Sequence, residues 1–260
     1  MTRLRNSHPS DQADGLRRMF ATFDVALVPV VANPHVHRHG AVLARFAGVF
    51  AQQGLNTLVV DAADTAPEPG ELSFIDLGAC AESLSNRLAY LAARGLPMQH
   101  LDTHGSCAAF LPHVMQAVNG VDVVVMHAEA RVLARILTGR QARPVLLADA
   151  AGESVTHAYA AMKLLSQRLH LMSFDLVLPT ARQRFPGPMQ IAERIGDCAD
   201  RFLGAALHDW AAINPEVPLP NPAGADLLRL AAAQLGLAPP SALLARGRGR
   251  ATRHDLVQTA

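Results

Sequence analysis

The run Val25-Ala26-Leu27-Val28-Pro29-Val30-Val31, followed by Ala32-Asn33-Pro34-His35-Val36-His37-Arg38-His39-Gly40-Ala41, decides how this chain folds. The first seven residues are continuously apolar and do not alternate, as expected of a strand buried on both faces. After the polar loop, Ala41 to Gln53 has helical period and stops at Gly54, where a left-handed residue ends a helix at least cost. A second apolar run, Thr57 to Val60, then ends at the acid Asp61. Strand, loop, helix and strand therefore occupy fewer than forty residues.

Working outward, the same signal predicts strands at Leu72 to Ile75, Met98 to Leu101, Val121 to Met126, Pro144 to Leu147 and Phe174 to Leu178. Helices are expected over Glu82 to Ala93, closing at Gly95, and over Ser154 to Leu169. Strands alternating with helices imply an α/β fold with a doubly wound, mostly parallel sheet and helices on both faces. Ligand and partner sites in such sheets lie off the carboxyl ends of the strands, here the loops after Val31, Val60, Leu101, Met126, Leu147 and Leu178.

Half of the 260 residues are apolar, enough for a sizeable core. Three parts are expected: an amino-terminal arm over 1–22, the α/β domain over 23–237, and a flexible basic tail over 238–260 where Arg246, Arg248 and Arg250 alternate with glycine. The 23 basic residues nearly balance the 22 acidic ones, so no direct nucleic-acid partner is expected. Cys80, Cys107 and Cys198 form no C-x-x-C, fit a reducing cytosol and read as small core residues. The start of the chain lacks the apolar stretch of a signal peptide, and Leu227 to Ala245 is interrupted by Arg229, Gln234, Pro239 and Pro240. The expected location is cytoplasmic, with no integral membrane segment.

The opening unit resembles the amino-terminal unit of the MinD/ParA-type ATPases of the P-loop NTPase fold, whose loop reads K-G-G-x-G-K-T. Aligned back from Gly54 without a gap, the family's two lysines fall on Pro34 and His39, and its magnesium-binding hydroxyl falls on Gly40. The family's D-x-D motif is matched by Asp61-Ala62-Ala63-Asp64, with the second acid one place late. His127, in Val121-Asp122-Val123-Val124-Val125-Met126-His127-Ala128, stands where the family has the aspartate that orders magnesium. A phosphate cradle needs glycines that turn successive N–H groups inward and a lysine that neutralises charge. This loop has one glycine and no lysine, so Pro34, His39, Gly40, Asp61 and His127 read as a degenerate nucleotide site with no cofactor. ATP and Mg²⁺ enter only under the alternative, an active ATPase switching between monomer and dimer in flagellar or cell-division positioning.

Asp11-Gln12-Ala13-Asp14-Gly15-Leu16-Arg17 matches the D-Q-A-x-x-L-R segment of the flagellar branch of that family, the FlhG/FleN regulators of flagellar number and placement. Glu153-Ser154-Val155-Thr156-His157-Ala158-Tyr159-Ala160-Ala161-Met162-Lys163 resembles the same branch's S-x-T-x-A-Y-x-x-x-K helix. The resemblance implies a signal-recognition-type flagellar GTPase as partner. Gln12 would orient the attacking water, while Asp11, Ala13, Leu16 and Arg17 belong to the docking segment; a GTPase needs mainly a positioned water and stabilised charge, both of which can be supplied in trans. It further implies restraint of the flagellar transcriptional activator, a homodimer, and recruitment to the cell pole or inner membrane face. The plain alternative for the arm is an amphipathic helix, with Leu16, Met19 and Phe20 folded onto its own domain.

Two other constellations carry less. His35, His37 and His39 alternate, as zinc or nickel ligands can, but lack an obvious fourth ligand in sequence, so no metal is expected. Asp102, His104 and Ser106 lie within five residues, whereas triad members come from separate loops; the stretch reads as a strand-end loop.

Overall fold

Eight strands build one sheet: β1 (Ala26–Val31), β2 (Thr57–Asp61), β3 (Glu82–Ser85), β4 (Leu88–Ala92), β5 (Val123–Ala128), β6 (Val145–Leu147), β7 (Ser173–Pro179) and β8 (Ala206–Ile213). Their order is β3-β4-β2-β5-β1-β6-β7-β8, and every neighbouring pair is parallel except the β3–β4 hairpin. The computed structural model describes residues 25–180, 187–218 and 221–236. The arm with Asp11, Gln12, Ala13, Leu16 and Arg17, and the tail over 238–260, lie outside the described residues.

The helices are α1 (His39–Gln52), α2 (Phe110–Ala117), α3 (Ala130–Ile136), α4 (Gly152–Leu169), α5 (Pro188–Leu203) and α6 (Ala225–Gln234). They cover the sheet on both sides because its strands are apolar on both sides. Val28, Val30, Val59 and Val125 pack against Phe46 and Phe50 of α1 and Leu230 of α6. On the opposite face, Leu58, Val124 and Met126 belong to the cluster holding Phe110 of α2, Leu133 of α3, Met162 of α4 and Ile195 of α5. Pro29 sits in a central strand, yet pairing with β6 begins only at Val30, which limits the ladder bonds its missing N–H disrupts.

The strands expected around Val25, Thr57, Val121, Pro144 and Phe174 are present, as are helices over most of Ala41 to Gln53 and Ser154 to Leu169. Three expectations are corrected. Glu82 to Ala93 is not a helix: Leu84, Leu88 and Leu91 have helical spacing, but Leu88–Ala92 is drawn into the sheet as a parallel neighbour of β2, a tertiary override of local preference. Leu72 to Ile75 and Met98 to Leu101 are not strands but fall on the 3-10 turns Glu71–Phe74 and Leu96–His100. Leu72 and Ile75 are exposed, while Gly95 at φ 78° and Pro97 favour a turn over a ladder. Cys107 is buried as expected of a core residue, whereas Cys80 is only half-buried and Cys198 is exposed on α5. Among the described residues no helix is long and apolar enough to cross a membrane.

Candidate functional site

The loop between β1 and α1 lies at the carboxyl end of the central strand, and it is tied down by its own chain. Asn33 is buried, and its amide donates to the Leu147 carbonyl at 2.8 Å, the Ser154 carbonyl at 2.9 Å and Ser154 Oγ at 3.1 Å. Its Oδ1 accepts the His35 N–H at 3.1 Å, and its carbonyl accepts the Val36 N–H at 3.2 Å. The His37 N–H donates to Asp149 Oδ2 at 3.2 Å. Asp149 is itself placed by the loop after β6: its N–H donates to Ser154 Oγ at 3.0 Å, and its Oδ1 accepts the Ala151 N–H at 2.9 Å. Three successive loop N–H groups, of His35, Val36 and His37, therefore point at acceptors supplied by Asn33 and Asp149.

Arg38, the residue before α1, has φ 56° and ψ 35°. Left-handed backbone costs a side-chain-bearing residue about 1–2 kcal/mol, which glycine avoids. In the alignment above, the last loop glycine falls on this position.

Behind the loop, on the face covered by α1, a polar chain crosses three adjacent strands. His127 of β5 is 1% exposed, and its Nδ1 lies 2.8 Å from Asp61 Oδ1 on β2; the two residues are register partners. The Tyr90 hydroxyl of β4 donates to Asp61 Oδ2 at 3.0 Å, and the Ala63 N–H donates to Oδ1 at 3.3 Å. Burial opposes ionisation of Asp61, but the hydrogen bond and charge of His127, with Tyr90 and Ala63, outweigh it and hold the carboxyl below its usual range. Burial, followed by the charge and hydrogen bond of Asp61, pushes the Tyr90 hydroxyl up. An ionised carboxylate only accepts, so His127 Nδ1 is the donor in this bond. Among the described residues the ring's Nε2 has no partner.

Five residues were expected to form the degenerate nucleotide site, and the structure joins Asp61 to His127 by a direct bond. Pro34 and Gly40 are exposed and His39 is half-buried, on the loop and the first turn of α1. The alternating histidines do not converge: His35 Nδ1 faces Glu153 at 3.4 Å, its ring meets His157 edge-on at 5.6 Å, and among the described residues no group of three metal-ligating side chains occurs. Asp102, His104 and Ser106 make a turn, since the N–H groups of His104 and Ser106 each donate to Asp102 Oδ1 at 2.8 Å while Ser106 Oγ turns to the Arg135 carbonyl. The Ser106 N–H, with that of His104, lowers the Asp102 carboxyl from its usual value. Sequence reading missed the bracing roles of Asn33, Asp149, Ser154 and Tyr90. Asp149 follows a strand end already marked as a site loop; Tyr90 was hidden by the helical reading of its segment.

No protein-family model matches the sequence, and no curated protein matches it. Solved structures do. A Cyanothece McdA variant in complex with ATP superposes with a TM-score of 0.55 at 12% identity, over 82% of this chain and 98% of that one. A plasmid partition protein of Borrelia burgdorferi bound to AMPPNP gives 0.52 at 10% identity, over 81% and 96%. The MinD cell division protein of Aquifex aeolicus gives 0.51 at 12% identity, over 83% and 99%. The fold is that of the MinD/ParA-type ATPases. Within that fold, the braced loop lies between the first strand and the first helix, and the Asp61–His127 pair lies at the carboxyl ends of β2 and β5, of which β5 is the neighbour of β1.

Proposed function

We propose that this protein is a regulator of flagellar number and placement that acts through protein contacts, on a MinD/ParA-type scaffold whose own ATPase site is degenerate. The observation that carries the scaffold half of this reading is the closed loop. Its N–H groups at His35, Val36 and His37 already meet Asn33 and Asp149, so a phosphate would have to displace these acceptors and lie against the Asp149 carboxylate. Like charges at such a separation repel by several kcal/mol in a partly buried site, of order 4 kcal/mol near a protein surface. Pro34 and His39 supply no fixed cation, and His127 presents a nitrogen where the family's fold uses a carboxylate toward magnesium.

The flagellar half rests on Asp11-Gln12-Ala13-Asp14-Gly15-Leu16-Arg17 and its likeness to the D-Q-A-x-x-L-R segment. In this reading Gln12 enters the site of the signal-recognition-type GTPase and orients the attacking water, with Asp11, Leu16 and Arg17 docking the segment. The flagellar transcriptional activator is a second partner, the chain acts as a homodimer, and these contacts bring a cytoplasmic protein to the pole or inner membrane face.

The test is GTP hydrolysis by the cognate flagellar GTPase, with and without this protein and its Gln12→Ala variant. Stimulation by the wild type that disappears in the variant is expected; no stimulation by either refutes the partner assignment. Titration with Mg-ATP in a calorimeter is expected to give no binding heat. The second reading, an ATP-switched dimer, draws on the left-handed turn kept at Arg38, and micromolar Mg-ATP affinity would replace the first reading with it.

A further inference from the structure

We propose that the cleft between α3, the carboxyl-terminal end of α4 and the turn at His104 binds a short-chain dicarboxylate. The inference stands apart from the reading of the arm and of the ATPase site. Arg168, which lines the cleft, lies about 20 Å along α4, by the helical rise, from the Ser154 that holds the β1–α1 loop. The cleft measures about 240 Å³, just below the range of drug-sized sites, so its occupant is small.

The groups that line it decide the ligand's charge. Arg131, Arg135, Arg168 and His104 all face the cleft, and among the described residues no carboxylate lines it. Arg131 is paired with Asp64 at 3.2 Å, so its charge is offset, and Asp102 near His104 turns its Oδ1 to the N–H groups of His104 and Ser106. Arg135 and Arg168 are different. The Arg135 side chain makes one long contact, Nη1 to the Gly105 carbonyl at 3.5 Å, and Arg168 makes no hydrogen bond or ion pair among the described residues. Both stand in the last turn of their helices, where a cation offsets the negative helix end, but that leaves their N–H forks without a carboxylate. A guanidinium fork matches the two oxygens of a carboxylate, and two forks from two helices are met most simply by one carboxylate each. Leu164 and Leu169 of α4 add apolar surface to the same cleft. That surface suits a hydrocarbon spacer, whereas a phosphate presents oxygen on every side. The order of the ligand follows: a carboxylate on each of Arg135 and Arg168, methylenes against the two leucines.

Succinate and butyrate are matched probes, alike in chain length and different by one carboxylate. With the full chain at fixed ionic strength, titration followed by amide NMR shifts is expected to show saturable succinate binding that moves the resonances of Gly105, Arg135 and Arg168. Butyrate is expected to bind more weakly by roughly tenfold, the equivalent of one charge-assisted pair, and inorganic phosphate by a similar factor. Arg168→Gln alters an exposed side chain that the fold does not use, and is expected to remove the preference for succinate over butyrate while the circular dichroism spectrum is unchanged. Arg135→Gln is expected to do the same from the other helix. Equal affinity for succinate and butyrate, phosphate binding as tight as that of succinate, a succinate preference that survives Arg168→Gln, or no saturable shift at these residues would overturn the proposal.

Discussion

Replacing Asp61 with Asn probes the chain of bonds behind the loop with the smallest change in shape. Asp61 accepts three hydrogen bonds, from His127 Nδ1, the Tyr90 hydroxyl and the Ala63 N–H. An asparagine offers one oxygen and one NH₂. If the NH₂ faces His127, Nδ1 must accept instead of donate, which leaves the ring N–H on Nε2, a buried position without an acceptor among the described residues. If the oxygen faces His127, the charge-assisted character of that bond is lost. Hydrogen bonds to charged groups contribute about 1.5–3 kcal/mol each. A loss of about 2–3 kcal/mol at pH 7 is therefore expected, a fall in Tm of about 4–12 °C for a chain of this size. The pH dependence follows from the direction of the shift. The folded carboxyl titrates below its unfolded value of about 3.9, so its contribution is fully present above that value and disappears as pH falls through the folded pKa. Thermal or urea unfolding of wild type and Asp61→Asn from pH 7 to pH 3 measures this, because the other carboxylates titrate alike in both proteins. A stability difference that does not shrink below about pH 4, or one under about 0.5 kcal/mol at pH 7, would refute the bonding scheme.

Three further substitutions test the frame of the site. Arg38→Gly is expected to raise stability by about 0.5–1 kcal/mol, read as Tm, because it relieves a left-handed residue at φ 56°, whereas Arg38→Val is expected to lower it. Asn33→Ala removes three donated bonds and one accepted bond in a buried position, so a loss of about 2–4 kcal/mol is expected, with faster hydrogen exchange at the His35 and His37 amides. Gly78→Ala would place a Cβ 2.3 Å from the Ala117 carbonyl oxygen, and the backbone shift this forces is expected to cost about 1–3 kcal/mol in urea unfolding.

The central strands were legible because their sequences are apolar on both faces, which leaves a parallel sheet as the economical solution. Val25 to Val31, Thr57 to Val60 and Val121 to Met126 all lie at or beside strands of that sheet. The hairpin at Glu82–Ala92 was illegible for the opposite reason. Its outer strand is fully exposed, and leucines at 84, 88 and 91 are compatible with either period, so its conformation is set by what β2 offers at the sheet edge. The alignment marked Asp61 and His127 as two strand ends of one site, but their direct bond is seen only in the structure. Tyr90 could be placed beside them only once the hairpin was known, and Asn33 reaches Ser154 across 121 residues of sequence, a separation no local pattern encodes.

That long-range bond also explains how the loop keeps its shape without the glycines and lysines that form such turns around a phosphate. A loop built for a ligand is held partly by the ligand, because the N–H groups that converge on it have no other acceptor. Here the converging groups are held from within. Asn33 takes the N–H groups of His35 and Val36, Asp149 takes that of His37, and Ser154 holds both Asn33 and Asp149. The left-handed strain at Arg38 is tolerable because these bonds over-determine the backbone on either side of it. Loosening them in an Asn33→Ala, Asp149→Ala double variant should free the His35 and His37 N–H groups, while that of Val36 stays on the backbone carbonyl of residue 33. If closure by Asn33 and Asp149 is what excludes an anion, that variant gains affinity for inorganic phosphate at the loop while wild type shows none; equal phosphate binding by both would mean that the internal bonds do not stand in for a ligand.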